Sequence, residues 1–402
     1  MKQRWITLWI VSAFVLAACA PDSANPSGET SPRETESAAE LEAPTPKPTL
    51  NPDDPPPAGA AREFSTDFSR HSVPYDEILS GGPPKDGIPA LTDPAFVSVE
   101  EADEWLEEFE PVIFVQVGQD ARAYPVQILI WHEIVNDTVG GLPLTVTFCP
   151  LCNTAIAFER EVNGQVLDFG TTGRLRNSNL IMYDRQTETW WQQGTGEAIV
   201  GELLGTQLEF YPAAIIAWRD FAASFPDGKV LSRETGFARS YGRNPYVGYD
   251  NINNSPFLYD GFTPDELRPM ERVLAIEING ETVAYPYAVL EEVRVVNDVV
   301  GGQEIVVFWF AGVASGLDAG SVSAGRDVGT ASAFSPSVDG ELLTFSAKGE
   351  RIFDDQTGSE WNALGQAIHG DLTGASLQPL TAFNHFWFDW VAFKPETRVF
   401  AP

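Results

Sequence analysis

The chain has 402 residues, 57 of them Asp or Glu against 25 Lys or Arg, for a formal net charge of −32 at pH 7. Acidic side chains run along its whole length. Such a surface repels phosphate backbones and anionic headgroups, which excludes nucleic acid as a partner and peripheral membrane binding beyond an anchor.

Lys2 and Arg4 precede an apolar stretch from Trp5 to Leu16, closed by Leu16-Ala17-Ala18-Cys19. The stretch is too short for a stable membrane span and ends in small residues, so residues 1–18 are predicted to be a secretory signal peptide. A Cys directly after Leu-Ala-Ala resembles a bacterial lipobox. The resemblance implies that Cys19 is acylated and anchors the protein to a membrane, outside the cytoplasm, in the periplasm or at the cell surface. Residues 19–62 are dense in Pro, Ser, Thr, Glu and Ala. Such a segment cannot bury enough surface to offset its ordering entropy and is expected to be a disordered stalk. The remainder, roughly 340 residues, suffices for two cores or one bilobal core.

Ser80 to Pro89 is a run of turn formers expected to wrap the body as an ordered loop. Pro111 to Val117 and Ala121 to Val126 flank Gly118-Gln119-Asp120 and predict a β-hairpin; Val273 to Ile278 and Thr282 to Tyr287 around Asn279-Gly280 predict another. Each is followed by a predicted short helix, Val126 to Val135 and Tyr287 to Val296. A Gly-Gly turn and a strand come next, Leu142 to Phe148 and Gln303 to Phe310. Farther on, Tyr183-Asp184-Arg185-Gln186-Thr187 and Trp191 match Phe353-Asp354-Asp355-Gln356-Thr357 and Trp361.

These matches, at a constant offset from Ala123-Tyr124-Pro125 through Cys152, indicate an internal duplication. Short aromatic-rich strands with few helices predict a β-dominated α+β fold in two pseudo-symmetric halves, residues 63–240 and 271–402, joined by 241–270. The copies act as controls for each other. Asn136, Asp137, Gly140, Gly141, Asp184, Gln186, Thr187, Trp191, Gly201 and Gly205 have identical partners and read as scaffold. His132 faces Val293, Glu133 faces Arg294, Cys149 faces Phe310, Cys152 faces Val313 and Met182 faces Ile352. Glu133 reads as exposed helix surface; His71, His369 and His385 have no clustered partner and carry no assigned role.

With Cys19 set aside, only Cys149 and Cys152 hold thiols, in an oxidising compartment where unpaired thiols are a liability. Cys149-Pro150-Leu151-Cys152 closes a strand, and the spacing suits either a small-loop disulfide with thiolate chemistry or two ligands of a soft metal such as copper. With no other Cys, a metal site is open or completed by His132 and the Met182 thioether. Arg174 and Arg176 could hold an anionic substrate group, favour a thiolate, or pair with carboxylates.

Trp131-His132-Glu133-Ile134-Val135-Asn136-Asp137, Phe148-Cys149-Pro150-Leu151-Cys152-Asn153 and Leu175-Arg176-Asn177-Ser178-Asn179-Leu180-Ile181-Met182-Tyr183-Asp184 resemble the signature of exported bacterial and archaeal proteins catalogued as domain of unknown function 3179. The resemblance spans Phe64 to the C-terminus and brings no established activity. Relatives with selenocysteine in the Cys-Pro-Leu-Cys segment imply redox chemistry there. The leading expectation is a lipid-anchored thiol oxidoreductase for an unknown small-molecule or protein partner, using thiol–disulfide or peroxide-type chemistry. Cys149 is its nucleophile, Cys152 resolves, and His132 with Arg174 or Arg176 supports the thiolate. The alternatives are a copper or other soft-metal delivery module on Cys149, Cys152, His132 and Met182, and an extracellular ligand-binding protein with a structural disulfide.

Overall fold

The computed structural model describes residues 54–402, so the expected signal peptide, Cys19 and most of the stalk lie outside the described residues. Residues 54–62, which the composition places in the expected stalk, are among the described residues. Ala60–Glu63 forms a helical turn with Ala60 buried, because Phe64 packs edge-on against Tyr183 and Trp190 and draws this segment onto the body.

Short antiparallel strands dominate, and no α-helix among the described residues exceeds seven residues. The fold is therefore the β-dominated α+β class. In the first half one sheet runs Ala214–Ala217, Pro111–Val117, Asp120–Pro125, Lys229–Leu231 and Phe96–Ser98. A second runs Phe210–Tyr211, Thr154–Glu159, Leu142–Cys149, Ile134–Val139 and Leu91–Thr92. The second half contains the same orders: Ala382–Phe386, Arg272–Ile278, Glu281–Pro286 and Arg398–Val399, then Gln378–Pro379, Thr330–Ser335, Gln303–Phe310 and Val295–Val300. In both, the strand after the last helix joins the hairpin in parallel.

The residues common to both halves hold this scaffold. The Asn136 amide both donates to and accepts from the backbone of Phe169, at 2.8 and 2.9 Å, and Asn297 treats Phe345 in the same way, at 2.9 and 3.0 Å. An amide paired on both sides leaves no buried polar group unsatisfied and pins one sheet to the next. Asp137 accepts from Arg122 and Tyr124 at 2.6 Å each, and Asp298 accepts from Tyr285 at 2.8 Å and Arg398 at 3.0 Å. Asp184 and Asp354 each take the indole N–H of a buried Trp, Trp191 and Trp361, at 2.9 and 3.1 Å.

Two expectations need correcting. The helices are Val126–His132 and Tyr287–Val293, shorter than expected. Glu133 and Arg294 take left-handed φ of 58° and 66°, which ends the helix, and Ile134 and Val295 already pair as strand. The copies also diverge after Cys149 and Phe310. Cys149 stands opposite Thr154 across a tight turn, whereas Phe310 stands opposite Thr330 across the long loop 311–329. Cys152 thus has no structural counterpart, and Val313 belongs to a different loop.

The joining segment 241–270 contains no helix or strand. Its Tyr246, Tyr249 and Tyr259 nevertheless pack on the core, with Tyr246 and Tyr249 close enough to sense charge on the cysteines.

Candidate functional site

The turn Pro150–Asn153 is buried, so each of its backbone polar groups must find a partner within the protein. Cys152 N–H donates to the Cys149 carbonyl (3.2 Å), and Asn153, left-handed at φ 53°, donates to Pro150 (3.3 Å). The Cys152 carbonyl accepts from Phe386 N–H (2.9 Å) in the other half and from the Thr154 hydroxyl (3.2 Å). This arrangement directs both side chains the same way. Cys149 and Cys152 are free thiols, 2% and 0% exposed, with their sulfurs 2.9 Å apart.

A second turn meets them. The strands Phe169–Arg176 and Asn179–Asp184 are joined by Asn177 and Ser178, both left-handed (φ 53° and 65°). That is the two-residue hairpin geometry that normally selects Gly at its second position, so Ser178 stands in a disfavoured conformation. Its carbonyl lies 3.5 Å from the Cys152 sulfur and 4.0 Å from that of Cys149. Asn179 adds an amide donor to Cys152 at 3.4 Å and is fixed by Gln192 (2.7 Å) and Gln193 (3.1 Å).

The third contribution comes from the second half. His385, on Ala382–Phe386, and Asp389, on the helix Trp387–Phe393, are 1% and 0% exposed. His385 Nδ1 is 2.6 Å from Asp389 Oδ2 and 2.7 Å from Thr154 Oγ1. His385 Nε2 and Asp389 Oδ1 have no hydrogen-bond partner although both are buried. Burial pushes the Cys152 thiol well up, helped by its contact with Cys149 and by the adjacent Asp389 carboxylate. Tyr246 and Tyr249 complete the surroundings, close enough for charge on Cys149 to raise both phenols further above their burial-raised values.

Of the residues expected from the sequence, Cys149 and Cys152 are brought together, and the others are not gathered around them. His132 Nδ1 donates to the Pro89 carbonyl (2.7 Å) and Nε2 accepts from Tyr241 OH (2.7 Å). Burial lowers its pKa, so it is a neutral, satisfied imidazole. Arg174 is turned toward Glu63 (3.2 Å) and the rings of Phe64 and Trp190, and Arg176 toward Glu77 (2.7 Å). In so acidic a chain these scarce cations are taken by carboxylates. Met182 is fully buried in the same apolar cluster as the thiols. Among the described residues no group of three or more His, Cys, Asp or Glu side chains is placed to hold a metal ion. His132, with both ring nitrogens engaged by Pro89 and Tyr241, is therefore not offered to the thiols as a third ligand.

His385 and Asp389 are the residues that sequence reasoning misses. A signal exists in comparing the two similar hairpin registers. Val112 and Val273 are equivalent hairpin positions, and their cross-strand neighbours are Ile216 and His385. His385 is thus an asymmetric position in the opposite direction, gained in the second half.

A family model described as a protein of unknown function, DUF3179, matches residues 85–397. No curated protein and no solved structure matches the chain.

Glu133 is the remaining surprise, since it is buried, not exposed helix surface. Its backbone serves the scaffold, its carbonyl accepting from Phe148 N–H at 2.8 Å, as that of Arg294 accepts from Trp309 at 2.9 Å. Desolvation pushes its carboxyl from 4.5 up to about 8. A pKa raised by folding contributes stability fully below the unfolded value, and that contribution is lost as pH rises from about 4.5 to about 8. Glu133→Gln removes this loss. The stability of the variant relative to the parent, measured by urea unfolding, should rise between pH 5 and pH 8 by on the order of a few kcal/mol. A pH-independent difference would show that the carboxyl is not held neutral.

Proposed function

The chain belongs to the DUF3179 family, and we propose that this member works through a redox-active dithiol, Cys149 and Cys152, that exchanges electrons with an external disulfide. The observation that carries this reading is the pair of unbonded sulfurs 2.9 Å apart in a turn fixed from both halves. A disulfide needs about 2.03–2.05 Å, so side-chain rotation rather than refolding separates the two redox states. The shell of Ser178, Asn179, Thr154, His385 and Asp389 supports the reading. A thiol serving only as a small hydrophobe needs no such polar surroundings.

The reaction balances as thiol–disulfide exchange. Cys149 sulfur attacks one sulfur of the external disulfide and the first external thiol leaves with a proton. Cys152 sulfur then attacks Cys149 sulfur, the mixed disulfide breaks, and the second external thiol leaves with the other proton. The protein dithiol loses two electrons and the external disulfide gains them. Cys149 acts first because burial, with help from Cys149 and the Asp389 carboxylate, pushes the Cys152 thiol's pKa well up. Burial of both sulfurs favours a second reading, a structural disulfide that is formed once and never reopened.

The same proposal sets the chemistry outside the cytoplasmic membrane, with the chain held there by acylated Cys19. A cytoplasmic location or an unmodified Cys19 in the mass spectrum of the native protein would sink that part. For the chemistry, the test is trapping in a Cys19→Ser background. Cys152→Ser should accumulate a stoichiometric mixed disulfide on Cys149 when treated with a small disulfide, while Cys149→Ser should accumulate little. Equal trapping by both, or by neither, contradicts the order of attack.

A further inference from the structure

In the exchange just described the second step requires a proton to leave Cys152, a thiol that is fully buried and beyond the reach of bulk hydroxide. We propose that Asp389, positioned by His385, is the base that takes this proton, so that the second half of the chain supplies the acid–base chemistry for the dithiol of the first half. The inference rests on the redox reading of the Cys pair.

The geometry is specific. Asp389 Oδ2 is engaged by His385 Nδ1 at 2.6 Å and by the Thr154 hydroxyl at 3.4 Å. That fixes the carboxylate plane and leaves Oδ1 without a partner in a site that is 0% exposed. A buried, unpaired carboxylate oxygen is costly and persists where function requires it. The carboxylate meets the Cys152 turn through the Thr154 hydroxyl, which lies 3.4 Å from Asp389 Oδ2 and 3.2 Å from the Cys152 carbonyl, while the Cys152 sulfur itself contacts the Ser178 carbonyl, the Asn179 amide and Cys149. Asn179 donates to the Cys152 sulfur and offers it no proton acceptor, and a peptide carbonyl such as that of Ser178 is too weak a base to keep the proton. Asp389 is a carboxylate close enough to push this thiol's pKa up.

Donation from His385 to Oδ2 stabilises the ionised carboxylate ready to accept, and the carboxylate in turn fixes the proton on Nδ1. Thr154 is held by both halves of the arrangement, since its hydroxyl also reaches the Cys152 carbonyl. The other titratable groups facing the site are Cys149 and the phenols of Tyr246, which senses Cys149, Tyr249, which senses both thiols, and Tyr259, which senses Asp389. These phenols have raised pKa values.

The proton path closes the balance. As Cys152 sulfur bonds to Cys149 sulfur, its proton passes to Asp389 Oδ1. The bond from Cys149 to the external sulfur breaks, and the departing thiolate recovers the proton from Asp389. In the reverse direction Asp389 protonates Cys152 as the protein disulfide opens, so one group serves both directions.

The test uses the full chain carrying Cys19→Ser, reduced, and 2,2′-dithiodipyridine as the external disulfide. Two pyridine-2-thiones are released per chain, the first by Cys149 and the second by Cys152. Asp389→Asn should leave the first release within about twofold and slow the second by about 100-fold, the scale of a lost general base. In the parent the second rate should rise with pH to a plateau, and in Asp389→Asn it should stay low across the same pH range. His385→Leu, which removes the donor to the carboxylate, should shift the parent plateau to higher pH, an effect that mere loosening of the core would not produce. If Asp389→Asn does not fold, that His385→Leu shift carries the test. A second release unchanged in rate and pH profile in the folded variants overturns the proposal while the redox reading stands. A parent chain that releases no thione at all overturns the redox reading itself.

Discussion

The hydrogen bond from Phe386 N–H to the Cys152 carbonyl is the constraint on which the site depends. A tight turn at the end of a buried strand has polar groups that its own residues cannot all satisfy. In this chain the missing donor comes from a strand more than two hundred residues away, and Thr154 extends the same junction to His385 and Asp389. The cysteine pair is held by an interface, and the two halves must be docked for its geometry to exist. Tyr249 and Tyr259 of the joining segment pack against Phe386 and Phe388 beside this junction.

The scaffold is highly legible in the sequence, because periodicity and turn chemistry are local. The hairpins at Pro111–Val117 with Asp120–Pro125 and at Arg272–Ile278 with Glu281–Pro286 follow from alternation and from Asn-Gly or Gly-containing turns. Asn136 and Asp137 read correctly as scaffold because Asn297 and Asp298 repeat them without any thiols nearby. The helix ends are less legible. Nothing in the identities of Glu133 and Arg294 announces a left-handed residue, which the strand pairing that follows imposes from outside.

The site is only half legible. Cys149 and Cys152 announce themselves by spacing, but His132, Arg174 and Arg176 owed their candidacy to residue type and chain proximity. Each proves to be satisfied elsewhere, by Pro89 and Tyr241, by Glu63 and by Glu77. His385 and Asp389 show the opposite. His385 lies near the end of a strand and Asp389 in the first turn of the helix that follows, yet their distance in sequence from the cysteines hides the connection. Comparing equivalent positions in both directions recovers His385, since its counterpart is Ile216.

Burial decides what this site can be. In a dry setting the Coulomb cost of a free thiolate is high, so proton and electron transfer have to be coupled. A dithiol that cycles must therefore lie within reach of an external couple in spite of its burial. The most direct measurement is the midpoint potential of the Cys149/Cys152 pair in the intact folded chain, equilibrated in thiol–disulfide buffers, trapped with alkylating agent and read by mass. A working dithiol requires a value above about −300 mV, within range of ordinary thiol–disulfide couples. A lower value, with the bond resistant to reduction in the folded state, would contradict the account and leave a structural staple.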